Sequence, residues 1–494
     1  MMADTPAWLG IDLGTQSVRV VVLSGAGCVL GQGQAKLASR RDGARHEQDP
    51  ESWWRGTISA IAQALDGLDG RAIRALAVDG TSGTILLAGA ALKPRTAGIM
   101  YDDVRATAEA EEINAAGAAY FTRLGYGRMQ PAWALPKLLW LHRHAAASLP
   151  GATLLHQADF INARLAGRLV ASDLSNALKT GCDLVAAEWP VELLRRLGID
   201  PAMLPKLAGP GSIIGTLAPD VAETLGLSPD AKIIAGMTDS CAAQLGAGAL
   251  TPGSWNCVLG TTLALKGVTP ALIRDPSGVL YCHRGPDGLW LPGGASSSGA
   301  GILSRDFPGA DFTALTQAAA SRRDPAIFTY PLAGRGERFP FVATEAESFC
   351  AGTPEDEVEK FASVLLGLAC VERLCFDLVA RLGAPIDGQI SFTGGAAAND
   401  YWTQLRADML GRDVFRPQDA EPATGMARLA AAGWLGRPVA ELAAEMPIAG
   451  AVTAHDPARH ASLLPIYAEF LRQLQARGWI DSGLADFART RMNG

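Results

Sequence analysis

Five short segments of the chain carry residue types suited to gripping phosphate groups and activating a hydroxyl. In Gly10-Ile11-Asp12-Leu13-Gly14-Thr15-Gln16-Ser17 an apolar strand feeds a Gly-Thr turn, which exposes consecutive backbone N–H groups and hydroxyls to phosphate oxygens. Asp12, at the strand end, can hold Mg²⁺ directly or through water, because that ion keeps several waters and takes few protein ligands. The plain alternative is an ordinary hairpin. Gly260-Thr261-Thr262 is a second turn of the same kind, with the same alternative. Ser391 to Asn399 (SFTGGAAAN) runs from a strand into a helix. Its two glycines permit close approach of a flat ligand, and Asn399 can either cap the helix or hydrogen-bond a nucleoside. The turn at Gly293-Gly294-Ala295, followed by Ser296 to Ser298 and Gly299, is a weaker case of the same pattern. Met237-Thr238-Asp239-Ser240 places an acid where a strand gives way to a helix of small residues. Asp239 is there as an N-cap, or as a general base for a hydroxyl proton. Two phosphate grips, a metal and one carboxylate beside the attacking oxygen are what phosphoryl transfer requires.

Positioning such groups needs strands that end together. The sequence predicts strands at Trp8–Asp12, Ser17–Leu23 and from Val29 onward, with a turn at Gly25-Ala26-Gly27. Asp49-Pro50-Glu51 supplies an N-cap, an N1 proline and a first-turn acid for a helix from Trp53 to Leu65. Ile73–Val78 is strand-like. The grammar repeats later, with a strand at Lys232–Met237, a helix at Ser240–Leu250 and strands at Trp255–Leu259 and Thr262–Val268. Ile11–Thr15 and Cys257–Thr261 resemble each other, which fits two copies of one nucleotide-binding unit. Strands and helices mixed throughout argue for α/β domains. The expected division is 1–240 and 241–494, with the last helix, Arg459–Arg477, free to pack on either domain.

At 494 residues the chain exceeds one ordinary core, and 48% hydrophobic with 19% charged residues is a globular composition. The net charge of −7 comes without any Lys/Arg run of the kind that binds nucleic acid. No uncharged apolar stretch approaches the ~20 residues needed to span a bilayer, and no signal peptide is evident. Eight cysteines form no CxxC pair, which suits reduced thiols in a cytoplasmic protein.

Taken in order, these segments resemble the FGGY carbohydrate kinases of the actin-like ATPase superfamily. GIDLGTQSVR at 10–19, EQDPESWW at 47–54, KLLWL at 137–141, GMTDSCAAQLGAG at 236–248, LGTT at 259–262, PLAGRGERFPF at 331–341, LLGLACVERL at 365–374 and FTGGAAAND at 392–400 carry the likeness. Ala134 stands where the first family signature usually has Ser, Thr or Pro. The resemblance implies two RNase H-like domains facing each other across a catalytic cleft that closes on its ligands. It implies ATP and Mg²⁺ as cofactors, a sugar as substrate, and neither nucleic acid nor membrane as partner; a homodimer is compatible with it. By position, Asp12 would lie at the metal and the substrate. Thr15, Gln16, Ser17, Gly260, Thr261 and Thr262 would face phosphates, while Gly294, Gly395, Ala396 and Asn399 would bind the nucleotide. Asp239 would be the catalytic base.

The departures concern the sugar. Asp79-Gly80-Thr81-Ser82-Gly83 replaces a QMHG-type turn of many xylulose kinases, and Tyr101-Asp102-Asp103-Val104-Arg105 replaces WNDGR. With HQADFINARLAGRLVASDLSNALKTGCD at 156–183, these turns resemble the plant and cyanobacterial xylulose kinase-like branch, associated with D-ribulose. Ser82 and Asp102 are therefore candidate sugar contacts, and D-ribulose stands ahead of D-xylulose. A switch of the actin or chaperone type, binding ATP but no sugar, is the rival reading.

Overall fold

The computed structural model describes residues 6–322 and 324–492. They form two compact units. The first comprises the chain up to Leu250 together with His283–Leu291 and Asp419–Ile448. The second comprises Thr251–Cys282, Pro292–Gln418 and the chain from Ala449 on, including the last long helix, Pro457–Ala476.

The sheet of the first unit runs Ile213–Thr216, Lys232–Ile234, Ile73–Gly80, Ala7–Leu13, Ser17–Ser24, Val29–Lys36. Ala7–Leu13 is antiparallel to Ser17–Ser24 and parallel to Ile73–Gly80. It is buried on both faces, which explains its nearly continuous apolar sequence. Leu9, Ile11 and Leu13 share a core with Trp53, Ala60 and Ile61 of helix Pro50–Ala64. That helix starts as its sequence predicts, with the Asp49 carboxylate accepting from the Glu51 N–H at 3.0 Å and proline at N1. The opposite face, at Trp8 and Gly10, receives helix Pro422–Leu435, with Trp8 and Trp434 at a centroid separation of 5.5 Å.

The later passage does repeat the grammar of the first. In the second unit Trp255–Leu259 is antiparallel to Leu263–Gly267 and parallel to Ile390–Thr393. Both units therefore build their turn between antiparallel strands and set a parallel strand end beside it. The strand from Lys232 closes earlier than expected, at Ile234, although an isolated bridge between Gly80 and Thr238 continues the alignment. The following helix, Asp239–Gly246, is also shorter than expected, because Gly248 turns the chain with φ +83°.

Helix Glu357–Arg381 is the buried spine of the second unit. Glu372 on it holds Arg406 of helix Asp400–Leu410 through two bonds of 2.8 and 2.6 Å. The Arg406 guanidinium, fully buried, also stacks 3.6 Å from the Phe392 ring centroid. One ion pair thus ties two helices to the strand that leads into the Gly394-Gly395 turn. Removing either partner leaves a buried charge unmatched, so Arg406→Leu should cost about 3–5 kcal/mol in chemical denaturation. A loss below ~1 kcal/mol would show that the pair is dispensable.

Candidate active site

The first unit gathers three aspartates at the ends of adjacent strands. Parallel pairing puts Asp12 opposite Asp79, and the bridge from Gly80 to Thr238 brings the turn bearing Asp239 alongside. Asp12 and Asp79 are 4% and 0% exposed. Among the described residues neither oxygen of Asp79 has a hydrogen-bond partner, and the Asp12 carboxyl is its charged neighbour. Burial pushes Asp12 up to about 6; the Asp239 charge adds to this, while the adjoining Asp79 carboxyl and the Arg19 charge oppose it. Burial raises Asp79 further, helped by the Asp12 and Asp239 charges. Arg19, opposite Asp12 in the hairpin, stands 3.8 Å from it and bonds Glu421 at 2.9 Å.

Asp239 is only half-buried. Thr238 occupies the N-cap position, and Asp239 is the first residue of the helix. Its carboxylate accepts from the Ser240 N–H at 2.7 Å. The N-cap reading of Asp239 is thereby replaced: the cap is the residue before it. The turn is anchored from Asp173–Asn176, where Ser175 Oγ accepts from the Thr238 N–H at 3.2 Å and Asn176 Nδ2 donates to the Met237 carbonyl at 3.2 Å.

The turn at Gly14–Ser17 is closed by the Gly14 N–H on the Ser17 carbonyl at 3.1 Å. Gln48 Nε2 donates to the Thr15 carbonyl at 2.6 Å, and Gln34 Nε2 to Ser17 Oγ at 3.0 Å, so both are held from neighbouring strands. Gln16 is exposed. Burial, and then the Asp102 charge, raise the Tyr101 hydroxyl above its ordinary value. The Asp102 carboxylate is engaged by His46 Nδ1 at 2.5 Å and by Arg41 at 2.7 Å. Burial acts to raise its pKa, but these two bonds win and hold it below the usual range.

Ser82 is 9% exposed, and its hydroxyl has no partner among the described residues. Its carbonyl accepts from Lys179 Nζ at 2.9 Å. Gln157, which receives both the N–H and the hydroxyl of Thr81, leaves its Nε2 unpaired as well. Buried donors and acceptors without partners are rare in folded proteins. Several of them lie on the turn that follows Asp79 and on the Gln157 side chain that packs against it. Arg19, Asp79, His46, Gln157 and Lys179 were not singled out from the sequence. Arg19, Asp79, Gln157 and Lys179 lay within segments quoted above, whereas His46 lay outside all of them.

In the second unit the Gly260–Thr262 turn leaves Thr261 exposed. A pocket of about 600 Å³ is lined by Leu303, Phe312, Gln317, Phe361, Gly395, Ala396, Asn399 and Tyr401, among others. Apolar and aromatic walls with a glycine edge and a few amide groups suit a purine. Asn399 caps helix Asp400–Leu410, its Oδ1 accepting from the Trp402 N–H at 3.0 Å, and it is also among the residues lining the pocket. Gly294 does not line it. That glycine is buried in strand Trp290–Ala295, where a Cβ would fall 2.3 Å from the Phe339 ring, so packing accounts for it. The helix carrying Phe312 and Gln317 was not anticipated, since neither residue stands in a recognisable motif.

Residues 7–246 match the N-terminal domain, and residues 255–434 the C-terminal domain, of the FGGY family of carbohydrate kinases. This chain belongs to that family. It is an ATP-dependent sugar kinase, which sets aside the sugar-independent switch. The chain is 28% identical to the xylulose kinase of Escherichia coli (strain K12) over 438 residues, covering 86% of this chain and 89% of that enzyme. It is 30% identical to the xylulose kinase of Klebsiella pneumoniae, with the same coverage of 86% and 89%. In fold it resembles a xyloylose kinase from Brucella ovis, with TM-score 0.87, 24% identity and coverage of 96% and 100%. The gluconate kinase of Lactobacillus acidophilus is also alike in fold, with TM-score 0.84, 22% identity and coverage of 95% and 98%. The architecture is the two-domain α/β fold of the FGGY kinases, of the actin-like ATPase type.

Among the described residues no helix is long and apolar enough to cross a membrane. No group of three or more His, Cys, Asp or Glu side chains there is arranged to hold a metal alone. A hard cation bound here would draw its ligands mainly from water and phosphate, and the strained Asp12 carboxyl is an oxygen donor suited to it.

The buried acid pair gives a test independent of catalysis. Asp12 titrates at 3.8 in the unfolded reference and about 6 when folded. Between those values the native chain holds a proton that the unfolded chain has lost, so stability falls as pH rises through the window. The cost is complete above about pH 6 and amounts to about 1–3 kcal/mol. Asp12→Asn should therefore raise the melting temperature at about pH 7.5 and lose that advantage near about pH 4. An equal shift at both pH values would show that the carboxylate is not strained.

Proposed function

We propose that this kinase transfers the γ-phosphoryl group of Mg-ATP to the terminal hydroxyl of a ketopentose, converting D-ribulose to D-ribulose 5-phosphate. The observation that carries the sugar assignment is the Ser82 hydroxyl, buried and unpaired beside the strand ends that bear the aspartates. A short hydroxyl there leaves space and one hydrogen-bonding group where many xylulose kinases carry bulkier side chains. Asp102, fixed by His46 and Arg41, would stand as a second, rigid contact.

Asp239 would accept the proton as the sugar oxygen attacks phosphorus, because it is a partly exposed carboxylate at the start of its helix. Asp12 would hold Mg²⁺ through water and orient the sugar, and the cation would neutralise the charge on the transferring phosphate. Thr15, Gln16 and Ser17 in one unit, with Gly260, Thr261 and Thr262 in the other, would bind phosphates. Gly395, Ala396 and Asn399 would receive the adenosine. The eight cysteines carry no disulfide, which supports a reducing, cytoplasmic setting.

D-xylulose is the second reading, favoured by the relatives named xylulose kinase. The two sugars differ in configuration at C3 alone. A site that hydrogen-bonds one orientation leaves its own groups unpaired with the other, at about 1–3 kcal/mol per group, which is roughly 5- to 150-fold in kcat/KM.

ADP release measured across pentuloses, hexuloses, glycerol and polyols should be fastest with D-ribulose, and Ser82→Ala should raise KM for the ketose while sparing KM for ATP. A tenfold preference for D-xylulose would overturn the D-ribulose assignment and leave the kinase standing. Asp239→Asn retains size and hydrogen bonding without basicity, so kcat should fall about 10²- to 10⁴-fold with ATP binding intact. Near-normal turnover would remove Asp239 from the mechanism.

A further inference from the structure

Within the second unit, Glu337 is 3% exposed, and among the described residues no cationic side chain hydrogen-bonds it. Its two oxygens accept five bonds from neutral donors. Oε2 receives the Ser296 hydroxyl at 2.9 Å, the Ser298 hydroxyl at 2.8 Å and the Tyr330 hydroxyl at 2.9 Å. Oε1 receives the Ser297 N–H at 2.6 Å and the Arg338 N–H at 2.9 Å. Burial, then the Glu337 charge, raises the Tyr330 hydroxyl well above its ordinary value, so it remains a donor. A buried carboxylate so fully used acts as a template for the segment that surrounds it.

That segment is the backing of the Gly260–Thr262 turn. The Ser296 N–H donates to the Leu263 carbonyl at 2.8 Å, and the Leu263 N–H to the Ser298 carbonyl at 2.8 Å. The Ala300 N–H reaches the Gly260 carbonyl at 2.9 Å, and the Gly301 N–H the Thr261 carbonyl at 3.1 Å. At Gly299 the two backbones touch: a Cβ there would lie 2.3 Å from the Thr261 carbonyl oxygen. The Gly260 and Thr261 carbonyls are thus turned toward residues 300 and 301, which sets the orientation of the peptide groups that follow them.

We propose that Glu337 is a positioning residue for nucleotide binding, shaping Ser296–Gly301 so that the Gly260–Thr262 turn presents its N–H groups and hydroxyls to the phosphates of ATP. This rests on reading Gly260–Thr262 as a phosphate-binding turn. Glu337 touches no substrate; it acts through the serines. No neutral side chain can replace it fully, because only a carboxylate accepts from five donors at once. Glutamine comes nearest: its carbonyl can serve the two N–H groups, while its NH₂ faces hydroxyls able to rotate and accept.

The test uses the full chain and compares binding of ATP and of adenosine by calorimetry, with KM for whichever pentulose is turned over. Glu337→Gln should weaken ATP about tenfold and Ser298→Ala about threefold. Adenosine affinity and the KM for the sugar should stay within about twofold, because their groups lie outside this network. Glu337→Ala should weaken ATP further than the glutamine variant, if it folds; Ser298→Ala keeps the test alive if it does not. Equal loss of ATP and adenosine binding would reduce Glu337 to a general stabiliser, and unchanged ATP binding would remove it altogether; either overturns the proposal. Thr261→Ala separates the underlying reading. If it leaves ATP affinity unchanged, the phosphate-turn assignment fails and the proposal falls with it. If it weakens ATP while Glu337→Gln and Ser298→Ala do not, only the positioning role fails.

Discussion

At Gly10 the backbone of the first strand lies against the backbone of helix Pro422–Leu435 with no room for a methyl group. A Cβ at Gly10 would fall 1.8 Å from the carbonyl oxygen of Ala423. On the same helix a Cβ at Gly425 would fall 2.1 Å from the carbonyl oxygen of Ala242. The helix is therefore in near-backbone contact both with the strand that bears Asp12 and with the helix that Asp239 begins. Packing of that closeness fixes distances to fractions of an ångström, because backbone atoms cannot rotate out of the way as side chains can. The relation between Asp12, Asp79 and Asp239, on which the first unit's chemistry depends, is set by this contact and by the pairing of their strands.

The site pays for its chemistry in strain. Two buried carboxyls stand side by side with raised pKa values, and the charge of a third acts on both. Such an arrangement opposes folding, yet it is a ready place for a hydrated cation bearing phosphates. Around it, Ser82, Gln157 and His46 keep buried polar atoms without partners, while Asp102 and Thr15 are braced by neighbouring strands. Rigid groups for orientation and unpaired groups for the ligand are the two components of a specific polar pocket.

The second unit uses the same strand arrangement differently. Its turn carries no acid. It is backed by a serine loop wrapped on Glu337, and next along the sheet the Gly394-Gly395 turn borders a pocket of about 600 Å³. A repeated hairpin thus serves in one unit to gather carboxylates and in the other to expose backbone and hydroxyl groups.

The sequence by itself determined the local features. Both Leu-Gly-Thr hairpins, the Asp49-Pro50 helix start, the Asn399 cap and the family to which they belong were legible, because each depends on residues a few positions apart. Tertiary structure decided which distant segments meet. Asp79 became the buried neighbour of Asp12 through strand pairing, and Thr238, not Asp239, came to occupy the N-cap position. Gly294 proved to be packed beneath Phe339, and Glu337 to be the anchor of Ser296–Ser298. None of these could be read from spacing, because hydrogen bonds across a sheet and contacts between backbones are set by the register of segments far apart in the chain. A glycine that admits a ligand and a glycine that admits a phenyl ring look the same until the neighbouring strand is in place.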